Sequence, residues 1–101
     1  MANVTKYVVI FVGTSNGYLG RRAQINLYDG NTFVGTVNFH DPDMQFPDDS
    51  VELGIIIMNL PSSMFANVLD VLRNEKPLEL TFLNGLARLA TTDRELVGEG
   101  E

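Results

Sequence analysis

The chain has no cysteine among its 101 residues. Disulfide staples, thiolate zinc sites and cysteine nucleophiles are therefore excluded, while the compartment stays open. Cations are the second shortage: seven Lys and Arg stand against thirteen Asp and Glu, for a net charge of −6, and none lies between Arg22 and Arg73. Phosphate backbones are held largely through counterion release by a cationic footprint, so a nucleic-acid partner is disfavoured. An anionic membrane surface would repel the chain for the same reason. Long apolar runs are also missing. "YVVIFV" near the N-terminus is too short to span a bilayer and no small-x-small cleavage site follows it, which predicts the first strand of a mature cytoplasmic protein. Charged residues of both signs reach only 20% while hydrophobic residues make up 45%, so some of the surface is expected to be dry.

What is present reads as strands with one helix. "KYVVIFVG" (6–13) is β-branched, aromatic and apolar on both sides, the pattern of a strand covered on two faces. A glycine-bearing loop (13–20) leads to "RRAQINLY" (21–28), where Ala23, Ile25 and Leu27 alternate with polar neighbours. Asp29-Gly30 predicts a tight hairpin turn into a strand at 31–39 that places Phe33, Gly35, Val37 and Phe39 on one side, with Gly35 marking a bulge or a close neighbour. "HDPDMQFPDDS" (40–50), with two prolines and four aspartates, is a loop. "VELGIIIMNL" (51–60) reads as a single strand, apolar on both faces. The helix is "SSMFANVLDVLRNE" (62–75), with Ser62 as N-cap, an apolar stripe of Phe65, Val68, Leu69 and Leu72, a wet face of Asn67, Asp70, Arg73 and Asn74, and Pro77 as its stop. Asn84-Gly85 closes a second hairpin over 78–91.

These elements predict an α+β fold: a mostly antiparallel or mixed six-stranded sheet with one helix on one face, in the order β-β-β-β-α-β-β. The strand at 51–60, the helix and the strand at 78–83 would form a right-handed crossover placing those two strands parallel. Residues 1–92 are expected to form the single domain and 93–101 an acidic flexible tail. One helix cannot cover both faces of such a sheet. Either the sheet curls into a barrel or its second face meets another copy of the chain. Apolar area left in water forgoes about 25 cal/mol per Å², and self-association, as a homodimer or higher oligomer, is the preferred expectation.

Chemistry-bearing residues are few. His40, Asp41 and Asp43 are the candidates for a divalent cation, in a loop lacking the regular ligand spacing and glycine of a calcium site. The more ordinary reading is that aspartates cap the turns around Pro42 and Pro47. Catalytic residues are not indicated: His40 is the lone possible base, and no serine sits in a nucleophile motif. Arg21 and Arg22, beside the loop at 13–20, are the candidates for an anion or partner contact, although a strand rather than a helix follows them. No cofactor is implied.

The spacing of Leu27, Asp29-Gly30, Gly35 and Asp41 resembles the first signature of Sm-like RNA-binding rings over about 20 of the 101 residues. The chain departs from that family in starting with a strand, in placing a helix after the fourth strand, in lacking the second signature and in lacking basic residues, so RNA binding is not carried over.

Together these readings predict a non-enzymatic binding or assembly protein that self-associates through an apolar sheet face or edge, with no nucleic acid and no membrane as partner and its ligand unknown. The alternatives are a metal- or small-ligand-binding protein using the acidic loop at 40–52, and an enzyme with a site between subunits.

Overall fold

The computed structural model describes residues 2–18, 20–42 and 45–92. Asp43 and the tail at 93–101 lie outside the described residues. The described residues form an α+β fold, with eight strands in two sheets and one α-helix among them: β1 (Ala2–Val4), β2 (Lys6–Phe11), β3 (Arg21–Asp29), β4 (Thr32–His40), β5 (Ser50–Glu52), β6 (Ile55–Pro61), α1 (Phe65–Asn74), β7 (Leu78–Leu83) and β8 (Leu86–Thr91). The expected single six-stranded sheet is replaced by a three-stranded sheet ordered β1-β7-β8 and a five-stranded sheet ordered β2-β3-β4-β6-β5.

The division originates at Thr5. β1 pairs with β7, and one residue later β2 pairs with β3. The Thr5 amide donates to Tyr28 O at 2.8 Å, and its Oγ1 accepts from the Gly30 amide at 2.7 Å. A strand that changes sheets makes a corner between them. The three-stranded sheet thereby covers the inward face of the five-stranded one, a task that α1 alone could not perform.

β3 and β4 follow their period of two. Ala23, Ile25, Leu27, Val37 and Phe39 point inward and are buried, joined by Val4, Ile56, Met58, Val68, Leu78 and Leu80. The period breaks twice: Arg22 is bulged between the Arg21–His40 and Ala23–Phe39 pairs, and a second break lies toward the hairpin turn. A register shift between Leu27 and Tyr28 pairs Leu27 with Gly35 but Tyr28 with Phe33, so Val34 is bulged. Phe33, expected on the core side with Val37, is turned outward against Tyr28 at a ring distance of 5.5 Å. Gly35 is both a bulge neighbour and a point of close approach: a Cβ there would lie 2.8 Å from Ile56 O and closer still to the Leu80 side chain. The hairpin turn lies one residue later than expected, on Gly30-Asn31 with Gly30 at φ 60°, because Asp29 pairs with Thr32.

The run at 51–60 is not one strand. Leu53 and Gly54 both take positive φ, 51° and 81°, and fold the run into the β5–β6 hairpin, with Glu52 opposite Ile55. This reversal lays β6 parallel to β4, from Gly35 opposite Ile56 to His40 opposite Pro61. The parallel pair is therefore β4–β6, whereas the expected partner of β6, β7, lies in the other sheet. Every other pairing is antiparallel.

A 3₁₀ turn at Ser62–Met64 precedes α1, and neither Ser62 nor any other side chain caps it. The amphipathic stripe differs from expectation at one position: Val68 is buried and Phe65 and Leu72 pack on the core, but Val71 joins them in place of Leu69, while Asn67, Asp70, Arg73 and Asn74 face solvent. Phe65 meets Phe39 edge-on at 5.1 Å and Phe11 at 5.0 Å, so the helix closes the core between β2 and β4. Among the described residues no helix is long and apolar enough to cross a membrane.

Candidate functional site

Among the described residues, the candidates His40, Asp41, Arg21 and Arg22 gather at the end of β4, where His40, Asp41 and Arg22 are tied into the fold. His40 is 3% exposed and stacks on Phe46 with centroids 4.8 Å apart and planes at 11°. Its Nδ1 lies 3.0 Å from Gly20 O and its Nε2 2.9 Å from Asn59 Oδ1. Both partners are acceptors, because Asn59 directs its Nδ2 to Asp48 O at 3.2 Å. A neutral imidazole donates to one of them and an imidazolium to both. Neither ring nitrogen points to solvent as a free ligand.

Asp41 is committed to Arg22. Arg22 Nη2 donates to Asp41 Oδ2 at 2.7 Å, and Nε reaches Oδ1 and Oδ2 at 3.2 and 3.0 Å. Hydrogen bonding to the guanidinium, aided by its charge, holds the Asp41 carboxyl below its ordinary value, with desolvation opposing; the same contacts raise Arg22. The remaining donors of Arg22 staple the loop before β3: Nη1 donates to Val12 O at 2.8 Å and Thr14 O at 2.7 Å, and Nη2 to Ser15 O at 3.1 Å. The fork geometry of arginine suits such multiple carbonyl contacts. Arg21 lies with its guanidinium carbon 5.2 Å from the Tyr18 ring centroid. Asp43 falls outside the described residues. Among the described residues there is no group of three or more His, Asp or Glu arranged to hold a metal ion.

Asp49, one of the acidic-loop aspartates that the sequence offers either as turn caps or as cation oxygens, links the two sheets. Its Oδ1 accepts from the Asn59 amide of β6 at 2.7 Å and its Oδ2 from the Ala87 amide of β8 at 3.0 Å. A carboxylate accepting two backbone N–H groups satisfies donors that neither sheet can pair internally.

A polar row and a cleft escaped the sequence reading. The outward side of the five-stranded sheet carries an amide and hydroxyl row. Gln24 Nε2 donates to Asn26 Oδ1 and Thr36 Oγ1, each at 3.1 Å, and Thr36 Oγ1 donates to Asn26 Oδ1 at 3.0 Å. Asn38, between Gln24 and Asn59 in the register, has a buried Oδ1 with no partner. Beside this row, and on the same face, β2 leaves Val8 48% and Ile10 39% exposed, where the sequence pattern expects a strand covered on both faces, whereas Phe11 pairs with Ala23 and meets Phe65 at the rim of the core side. The cleft is half open, with a volume of about 780 Å³, and lies between residues 3–7 and the segment from Leu72 to Leu78. It gathers Lys6, Arg73 and Lys76, which are remote in sequence and share no local pattern.

Comparison with known protein families, curated sequences and solved structures finds no match to this chain. The functional reading therefore rests on the geometry.

Proposed function

We propose that this chain is a non-enzymatic binding or assembly protein that self-associates through β2. The observation carrying this reading is that, among the described residues, β2 pairs on one edge only, with β3, while Val8 and Ile10 stand exposed on its outward face. Soluble proteins usually blunt a free edge with charge, proline or brevity. β5 is only three residues long, and β8 carries Arg88. β2 has Lys6 at its start and then an uncharged run from Tyr7 to Phe11. Two copies meeting edge to edge about a twofold axis would pair those backbone groups and bury the apolar flank against itself. The engagement of His40, whose two ring nitrogens are both bonded beneath Phe46, favours binding over acid–base chemistry.

Sedimentation equilibrium tests the proposal. The parent is expected at about twice the chain mass of 11.2 kDa, and Val8→Lys together with Ile10→Glu should return it to a single-chain mass while keeping a cooperative melt. A parent that sediments as one chain throughout the micromolar range would end this reading.

A further inference from the structure

We propose that the cleft between β1–β2 and the C-terminal end of α1 binds a small amphipathic phosphate, an anionic head on an apolar body.

Three of the chain's seven cationic residues meet there although the net charge is −6. Lys6 comes from β2, Arg73 from the last turn of α1, and Lys76 from the connection to β7. The helix C-terminus, with its partial negative charge, accounts for Arg73. It does not account for Lys6, which is delivered by a strand from the opposite wall. Among the described residues the single ion pair is Arg22–Asp41, so none of the three cations has a described carboxylate within 4.0 Å. Glu75 also lines the cleft, leaving two net positive charges around one concavity. Cations lining one concavity give it a positive local potential, which an anionic group such as phosphate answers.

The rest of the wall sets the other half of the ligand. Tyr7, Leu72 and Leu78 supply apolar surface continuous with the core. The volume of about 780 Å³ falls in the range of small-molecule sites. A bare ion would leave this apolar surface wet, and a neutral apolar molecule would leave the cations unanswered. A free soluble ligand fits better than a bilayer, because the chain's overall negative charge opposes approach to an anionic membrane. The inference does not depend on self-association.

The test is a backbone-amide NMR titration of the full chain at fixed ionic strength, with hexyl phosphate and separately with its two halves, inorganic phosphate and hexan-1-ol. Hexyl phosphate should shift the amides of residues 3–7 and 72–78 saturably, at least ten-fold tighter than either half. Lys6→Gln should weaken it several-fold and Lys6→Gln/Arg73→Gln/Lys76→Gln should abolish it, whereas Arg88→Gln on β8 should leave it unchanged. All three cleft cations are exposed, so these changes spare the core. No saturable shift in the parent, shifts centred elsewhere, or equal binding by the triple variant would overturn the proposal. Vesicles of phosphatidylcholine with phosphatidic acid separate the sources: failure to pellet the chain supports a free ligand, and co-sedimentation lost in the triple variant would overturn that assignment in favour of a lipid headgroup.

Discussion

Leu53 offers a direct test of how the fold is held. It occupies the first central position of the β5–β6 turn at φ 51° and is fully exposed, at 103% of its reference area. An L-residue with a Cβ in this left-handed region costs roughly 1–2 kcal/mol, a cost that asparagine largely escapes. The leucine side chain buries nothing in return. Leu53→Asn creates the Asn-Gly pair preferred for such turns and should therefore stabilise the chain by about 1 kcal/mol. For a domain of this size that is a rise in Tm of about 4–8 °C. Leu53→Gly removes the Cβ outright, which asparagine does not, but frees the unfolded chain by about 0.4–1 kcal/mol, so its gain should be smaller. Leu53→Ala keeps the Cβ and should change stability by less than about 0.5 kcal/mol. Thermal melts followed by circular dichroism give the ranking Asn above Gly above Ala. Because β2 and β5 are opposite ends of the five-stranded sheet, association through β2 would not disturb it. An asparagine variant that melts at or below the parent would refute the backbone argument, and an alanine variant that gains as much would trace the effect to the exposed side chain instead.

Asp49→Ala removes the acceptor for two amides in different sheets. Each stranded donor costs about 1–3 kcal/mol, so urea unfolding should show a loss of at least about 2 kcal/mol, with Asp49→Asn, which keeps one acceptor oxygen, losing less; an alanine variant within about 0.5 kcal/mol of the parent would deny the link. Asp41 sets an acid dependence. Its folded-state pKa lies below the ordinary 3.8, chiefly through the Arg22 hydrogen bonds, so its contribution is complete above that value and is lost as pH falls through the folded one. Melts between pH 5 and pH 2 should therefore fall more steeply for the parent than for Asp41→Asn, and parallel curves would contradict the assignment.

What could be read without the structure was local. The alternation of Ala23, Ile25 and Leu27, the helical stripe of Phe65, Val68 and Leu72, and the Asn84-Gly85 turn each declare themselves within a few residues, because a period of 2 or 3.6 and a turn's need for positive φ act over that distance. The candidate site was legible as a set of residues but not as a set of roles. Arg22 looked free because its partner Asp41 lies 19 residues away, and Asp49 looked like a turn cap or a cation oxygen because Ala87 lies 38 away.

The chain by itself determined that there would be alternating strands, one amphipathic helix and a surplus of apolar surface. Tertiary structure decided where that surplus went. Nothing in Leu53-Gly54 favours a turn strongly enough to announce one, since leucine resists positive φ. The turn forms where β6, once reversed, pairs with β4 and buries Ile56 and Met58, recovering burial free energy that can exceed the local cost. In the same way the bend at Thr5, the outward rotation of Phe33 and the meeting of Lys6 with Arg73 and Lys76 follow from contacts between distant segments, and a contact of that kind leaves no periodicity in either segment alone.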